Sequence, residues 1–114
     1  MTEFPKLTSP LRIGNTTIKN RMFCTGHNVH FSMHTQGILS DKEIAFHTRK
    51  AEGEIALSTL GGTVTHPSAG TMPMAPLVNF DDSIIPRYKK LAKSMHKHGA
   101  KMMVQLAHAG AAMN

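Results

Sequence analysis

Residues 82–106 read DSIIPRYKKLAKSMHKHGAKMMVQL, a helix pattern that leads directly into a strand pattern. Asp82 or Ser83 can cap the helix, and Gly99 suits its C-terminal end. The run Lys101–Leu106 is apolar enough to predict a buried strand. One face of the helix is apolar, because these residues recur at helical spacing: Ile84, Ile85, Tyr88, Leu91, Ala92 and Met95.

The same order of helix and strand occurs earlier in the chain. Ser40 and Glu43 fit a capping box, in which a serine at the N-cap is followed three residues later by a glutamate. The helix that they open should continue to about Ala51. The apolar run Ile55–Leu60 then predicts a second strand, which Gly61–Gly62 should close.

Upstream of both units, the apolar run Arg21–Cys24 predicts a strand buried on both faces. Before it, residues 11–19 predict a β-hairpin, because Gly14 and Asn15 tolerate the positive φ of its turn. A long loop, residues 63–82, should join the second strand to the second helix. The predicted fold class is therefore α/β: an N-terminal β-hairpin followed by βαβαβ, with a parallel sheet and right-handed crossovers.

Polar or loop-forming residues follow each of the three strands in this pattern. They are residues 25–28, Gly61–Gly62 and residues 105–110. Ligands of parallel α/β folds gather at the carboxyl ends of the strands. The sequence therefore predicts a ligand site where these three segments meet.

Length and composition limit the class of protein. The chain has 114 residues, of which 40% are hydrophobic, as expected for one small globular domain. No apolar run approaches the ~20 residues of a membrane helix, and residues 1–10 lack the apolar segment of a secretory signal. The single cysteine, Cys24, excludes an internal disulfide. We therefore expect a cytoplasmic protein without a membrane partner.

The net charge of +6 is compatible with a basic domain that binds RNA or phosphate. No aromatic residues alternate with the basic ones as a stacking platform would require, however, so we expect no nucleic-acid partner. His27, His30 and His34 have spacings that suggest metal ligands, but no acidic or thiol partner completes a set, so we expect no metal. The basic residues of the second helix should form its solvated face: Arg87, Lys89, Lys90, Lys93 and Lys97.

Three blocks of the sequence carry a family resemblance, because they follow one another in the order and at about the spacing of the family's motifs. Residues 4–21 are similar to the pattern LF.P..IG...LKNR, Ala56–Gly62 lies where a second strand would follow, and Gln105–Gly110 is similar to QL.H.G. Together they resemble the old yellow enzyme family of NADH:flavin oxidoreductases. The resemblance implies a (β/α)8 TIM barrel with FMN at its C-terminal mouth. Residues 1–114 would then be a truncated N-terminal segment of that barrel, incomplete in this chain.

The resemblance also implies which residues contact the flavin. Gly62, at the end of the second strand, should let the ring lie close, because glycine has no Cβ. Gln105 should contact the pyrimidine edge, since a side-chain amide is both donor and acceptor. His108 should be a structural residue under the site. Hydrogen bonds to the isoalloxazine edge should come from the backbone of the segment after the first strand: Thr25, Gly26, His27 and Asn28.

Two departures from the family pattern indicate which branch of the family the chain resembles. Many relatives have arginine where this chain has Ala111, which favours the branch of dienoyl-CoA reductase and trimethylamine dehydrogenase. The latter attaches its flavin to a cysteine at a position that matches Asn28, and Cys24 lies inside the strand, so we expect no covalent flavin. The family's substrate-anchoring pair, proton donor and phosphate-binding loops would lie beyond Asn114, so no catalytic residue is assigned.

The resemblance implies an FMN-dependent oxidoreductase in which NAD(P)H reduces the flavin and an enone, dienoyl or amine substrate reacts with it. An iron–sulfur cluster would belong only to the missing part of the barrel. The alternative is a non-catalytic fragment or assembly subunit of such a barrel, which would bind no flavin alone.

Overall fold

A computed structural model of the chain describes residues 3–69, 77–108 and 110. Its first part contains a short helix, α1 (Pro5–Thr8), and a hairpin of β1 (Leu11–Ile13) and β2 (Thr16–Ile18). The two strands are antiparallel, and Gly14 has a φ of +58° in the turn between them. The predicted hairpin is confirmed.

A parallel sheet follows, built around one central strand. Its members are β3 (Phe23–Cys24), β4 (Leu57–Val64), β5 (Leu77–Val78) and β6 (Lys101–Ala107). All three other strands pair in parallel with β4. Because β6 pairs with β4 from one end to the other, β3 and β5 must share the opposite edge of β4. The predicted order of three adjacent parallel strands is confirmed, and β5 is an additional short strand.

The central strand β4 is longer than the sequence predicts. Gly61 and Gly62 do not close it, because neither has a positive φ among the described residues and the chain stays extended through Val64. Thr63 and Val64 are buried and pair with the end of β6, beyond an irregularity in the register that begins after Leu60. The predicted long loop therefore starts later, and it contains β5 and a 3₁₀ turn at Pro67–Ala69. Residues 70–76 of that loop lie outside the described residues.

The two predicted helices are present as α2 (Asp41–Glu52) and α3 (Ile85–Lys97). At the start of α2, the Ser40 hydroxyl accepts a hydrogen bond from the backbone N–H of Glu43 at 3.2 Å, as the capping box predicts. The second half of the box is replaced, because the Ser40 N–H donates to the Ser32 hydroxyl and not to Glu43. The predicted cap of α3 is wrong, because Asp81 accepts from the N–H of Ser83 and a 3₁₀ turn precedes the helix. A third 3₁₀ turn lies at Met33–Thr35.

The helices cover one face of the sheet and leave the other open. The core between helices and sheet comprises Leu39, Ile44, Ala51, Leu60, Leu77, Leu91, Met95 and Ala100. On β3, Cys24 points toward α2, so its neighbour Phe23 points to the open face and is 60% exposed. The predicted burial of β3 on both faces is therefore wrong within this chain. Among the described residues, no helix is long and apolar enough to cross a membrane.

Candidate functional site

The segment after β3 continues along the edge of β4. The hydrogen-bonded register pairs Phe23 with Leu57 and Cys24 with Ser58, and extending it places His27 beside Gly61 and Asn28 beside Gly62. The contacts agree, since a Cβ built on Gly61 would lie 2.3 Å from the His27 carbonyl oxygen. Residues 25–28 thus follow β4 without belonging to its ladder.

Gly26 and Gln105 meet on the open face of the sheet, although they are far apart in sequence. A Cβ built on Gly26 would lie 2.8 Å from Oε1 of Gln105 and 3.4 Å from Cγ2 of Thr59. Gln105 belongs to β6 and Gly26 follows β3, so the contact spans the width of β4. The amide of Gln105 therefore rests over Gly26, and Thr59 completes the contact.

The two glycines of β4 have different surroundings. Gly61 has no space for a side chain, because the His27 carbonyl and the Asn28 side chain occupy it. Gly62 has ordinary clearance, with Asn28 at 3.7 Å and the Ala107 Cβ at 3.8 Å from the position of an added Cβ. The packing of this chain therefore requires glycine at position 61, which the sequence did not single out, and not at position 62.

The backbone carbonyl of His27 packs against Gly61, while its ring turns toward α2. The imidazole packs edge-on against Phe46 with the ring centroids 5.7 Å apart. Its Nδ1 lies 3.3 Å from the carbonyl oxygen of Thr25. Phe46 also contacts Phe31 at 5.7 Å and lies under the ammonium of Lys50 at 4.2 Å. These ring contacts fix the segment that carries the predicted flavin contacts.

Two buried polar groups of α2 lie behind the site. His47 is 2% exposed, and its Nδ1 lies 3.0 Å from the hydroxyl of the buried Ser58 on β4. Burial, reinforced by the charges of Lys50 and His27, lowers the pKa of His47 to about 4, so the ring is neutral at pH 7. In the sequence, the only signal of such a buried polar group is a polar residue at a core position.

Glu43 is the second buried group, and its carboxylate accepts a hydrogen bond from the Ser32 hydroxyl. Burial raises the pKa of Glu43, although the hydrogen bond from Ser32 and the nearby His30 oppose the rise. The backbone N–H of Ser40 donates to the same Ser32 hydroxyl at 2.9 Å. Glu43 thus joins the start of α2 to the loop that follows residues 25–28.

Histidines also occur where the strands β4 and β6 end. Nδ1 of His108 accepts a hydrogen bond from the N–H of Gly110 at 3.0 Å, and its Nε2 lies 3.5 Å from the Ser68 hydroxyl. That hydroxyl lies 2.7 Å from Nδ1 of His66. His108 therefore makes local contacts at the mouth of the sheet. Ala111, on which the expected branch depends, lies outside the described residues.

The structure does not gather the three histidines that could suggest a metal site. Within residues 3–69, 77–108 and 110, no three side chains of the metal-binding types His, Cys, Asp and Glu come together. The predicted flavin contacts form two adjoining pairs: Gly26 with Gln105, and Asn28 with Gly62. Thr25 and His27 belong to the same segment.

Known proteins are similar to this chain in both sequence and fold. The family model of the NADH:flavin oxidoreductase / NADH oxidase family matches residues 6–114. The N,N-dimethylglycine/sarcosine dehydrogenase of Chromohalobacter salexigens is 37% identical over 111 residues, which are 94% of this chain and 15% of that protein. An NADPH dehydrogenase of Listeria monocytogenes is 32% identical over 105 residues, 92% of this chain and 31% of that protein.

Solved structures of related enzymes contain the same arrangement of helices and strands. A 2-naphthoyl-CoA reductase in complex with 2-naphthoyl-CoA superposes with a TM-score of 0.85 at 28% identity, over 94% of this chain and 16% of that one. The chain thus spans about a seventh of the length of the dimethylglycine/sarcosine dehydrogenase and of the naphthoyl-CoA reductase, and about a third of the length of the NADPH dehydrogenase. Its parallel sheet is the first part of the TIM barrel of these enzymes, and the chain belongs to the NADH:flavin oxidoreductase / NADH oxidase family.

Proposed function

We propose that residues 1–114 are the N-terminal segment of an FMN-dependent NAD(P)H oxidoreductase barrel and hold the ring edge of its flavin. The observation that carries the proposal is the contact between Gln105 and Gly26 on the open face of the sheet. In the complete barrel protein, by which we mean this segment together with the remaining strands, that face would become part of the barrel interior.

The residues present fit a flavin ring edge. The Gln105 amide supplies one donor and one acceptor, which match the mixed carbonyl and imide groups of the pyrimidine edge. The ladder between β3 and β4 ends at Cys24 and Ser58, so the backbone N–H groups of Thr25–Asn28 lie outside it and would donate to a ligand, whereas the Thr25 carbonyl already lies 3.3 Å from Nδ1 of His27. The packing would tolerate a Cβ at Gly62, so its absence there leaves room for the face of the ring to lie close.

The bound flavin would supply hydride acceptance from NAD(P)H and hydride exchange with the substrate. The part of this chain would be to orient the ring and to exclude water from one edge. We assign no catalytic residue to the described part of the chain. The phosphate-binding loops, the proton donor and any iron–sulfur cluster would belong to the rest of the barrel.

For the substrate, the names of the relatives support two classes. N,N-dimethylglycine/sarcosine dehydrogenase is named for amines, and 2-naphthoyl-CoA reductase for an aromatic thioester. We propose that the complete protein acts on an amine or on an electron-poor C=C bond of the enone or dienoyl type.

The test is a change of Gln105 in the complete barrel protein. Gln105→Leu removes both hydrogen-bonding groups at similar volume, so FMN affinity should fall roughly tenfold, since one or two lost hydrogen bonds cost about 1–2 kcal/mol. Fluorescence quenching of FMN measures the change. Gln36→Leu, the same chemical change at an exposed position outside the proposed contacts, is the control and should leave affinity unaltered. Equal FMN affinity in both variants would refute the assignment of Gln105.

A further inference from the structure

Cys24 and Lys50 form a close pair of nucleophiles between β3 and α2. The ammonium of Lys50 donates a hydrogen bond to Sγ of Cys24, with 3.0 Å between nitrogen and sulfur. The two residues are partly buried, so a small solute can reach the sulfur. Cys24 is the only cysteine of the chain. A disulfide within residues 1–114 is therefore impossible, and in the described part of the chain the amine of Lys50 contacts the sulfur.

One ring contact and the regular structure of two elements hold the lysine in this position. Its ammonium lies 4.2 Å from the centroid of the Phe46 ring, a distance at which a cation is attracted to the ring face. Lys50 belongs to the last turn of α2, and Cys24 is the last residue of β3, so the backbones of both are fixed by regular structure. The pair is thus set by the packing of two elements.

We propose that Cys24 and Lys50 are a site of oxidative modification, at which hydrogen peroxide produces a covalent S–N crosslink between strand β3 and helix α2. The crosslink lies directly before residues 25–28, so it would tie the proposed flavin-edge segment to the helix behind it. The proposal does not depend on flavin binding, because the pair lies between β3 and α2, on the side of the sheet opposite the open face.

The chemistry balances in two steps. The Cys24 thiol first attacks hydrogen peroxide: the O–O bond breaks, sulfur becomes a sulfenic acid by a two-electron oxidation, and peroxide is reduced to water. Lys50 then loses its extra proton to solvent, and the neutral nitrogen attacks sulfur. The S–N bond forms as the S–O bond breaks, and the departing hydroxide takes a proton from the nitrogen and leaves as water. No further oxidant is needed, and a thiol can reduce the product.

The short distance between the sulfur and a nitrogen determines which product the sulfenic acid forms. A sulfenic acid condenses with a neighbouring thiol or nitrogen, or is oxidised further to sulfinic acid. A nitrogen already in contact with the sulfur has a large effective concentration, which favours condensation over a second encounter with dilute peroxide. The structure therefore favours the sulfenamide of Lys50 as the product at low peroxide concentration.

The experiment treats the folded protein that contains this chain with a small excess of hydrogen peroxide and then digests it with trypsin. We expect the peptide of residues 22–42 to be joined to that of residues 50–87, lighter than their sum by two hydrogen atoms, with Lys50 uncleaved. Treatment with dithiothreitol should separate the peptides. Peptide-level mass spectrometry is needed because the nine methionines also take up oxygen.

Two variants and one condition serve as controls. Lys50→Arg keeps the charge but has a poor nucleophile, so the joined fraction should fall roughly tenfold or more, with sulfenic or sulfinic acid at Cys24 instead. Cys24→Ser should give no joined peptide, and neither should the wild-type protein oxidised in denaturant. If folded wild-type protein yields only sulfenic or sulfinic acid, or if the peptides of Lys50→Arg are joined to the same extent as those of the wild type, the proposal is wrong.

Discussion

At Gly61 the backbone of residues 25–28 lies directly against β4. The His27 carbonyl oxygen would lie 2.3 Å from a Cβ at this position, and backbone atoms cannot move aside as a flexible side chain can. Gly62, the next residue, would place its Cβ at least 3.7 Å from any neighbour among the described residues. These adjacent glycines therefore offer a matched pair of substitutions.

Gly61→Ala should destabilise the complete barrel protein by about 1–3 kcal/mol, because the added methyl overpacks against backbone. Gly62→Ala should change stability by less than about 1 kcal/mol. Urea-induced unfolding followed by circular dichroism measures both. If Gly62 lies under the flavin ring as proposed, Gly62→Ala should weaken FMN binding without this loss of stability. Similar unfolding free energies for the two variants would contradict the assigned packing.

The roles of these two glycines could not be separated from the sequence. A Gly–Gly pair after an apolar run is typical of a turn, and the resemblance pointed to Gly62 as the small residue beside the flavin. Only the approach of His27, which arrives from a distant part of the chain, shows that Gly61 is the one that must lack a Cβ. By contrast, the contact of Gln105 with Gly26 agrees with the prediction that strand ends converge.

At the scale of elements, local signals predicted the type and order of helices and strands better than their exact bounds. The capping box at Ser40 predicted the first residue of α2, since a cap is a local interaction. The end of β4 could not be predicted, because its last residues stay extended through pairing with β5 and β6, which come later in the chain. The start of α3 was not predicted either, because a 3₁₀ turn capped by Asp81 precedes the helix.

The buried contact between α2 and β4 makes stability depend on pH. The pKa of His47 in the folded state is about 4, below the usual 6.5, so the unfolded chain binds more protons between these values. His47 therefore contributes stability that is present above pH 6.5 and is lost as the pH falls toward 4. The full loss would be about 3 kcal/mol. Glu43 acts in the opposite direction, because its raised pKa favours the folded state as the pH falls.

We expect His47→Gln to remove most of the acid-induced loss of stability between pH 6.5 and 4.5 while keeping a hydrogen bond to Ser58. Unfolding by urea at several pH values, in the wild type and the variant, measures the difference in slope. His34→Gln, the same change at an exposed histidine, is the control and should leave the wild-type slope intact. Parallel pH curves for wild type and His47→Gln would mean that His47 is not the titrating group.

At the scale of the whole molecule, the chain is a helical layer on a sheet whose other face is open. Phe23 is 60% exposed on that face, and Leu106 is 64% exposed on β6, the strand that bounds the sheet. A parallel sheet is normally covered on both faces, and an edge strand with apolar side chains invites pairing with other chains. We therefore expect residues 1–114, expressed alone, to aggregate.

The same piece of barrel should not bind flavin well when it is alone. It offers only hydrogen bonds to the ring edge, each of which contributes about 0.5–1.5 kcal/mol net. A few such bonds must offset an association cost of at least ~4 kcal/mol. In this fold, phosphate contacts come from loops after the late strands, which residues 1–114 do not include. We expect binding weaker than about millimolar, which corresponds to roughly −4 kcal/mol.

The measurement is a fluorescence titration of FMN with residues 1–114, together with an assay of NADH oxidation with an enone acceptor. The complete barrel protein is the positive control and should bind FMN far more tightly. Turnover by residues 1–114 should not exceed that of free flavin, because the ring would be neither held nor shielded from water. Micromolar binding by the segment alone would show that the contacts around Gly26 and Gln105 suffice without a phosphate site. The proposal that FMN affinity depends on phosphate contacts from the rest of the barrel would then be wrong.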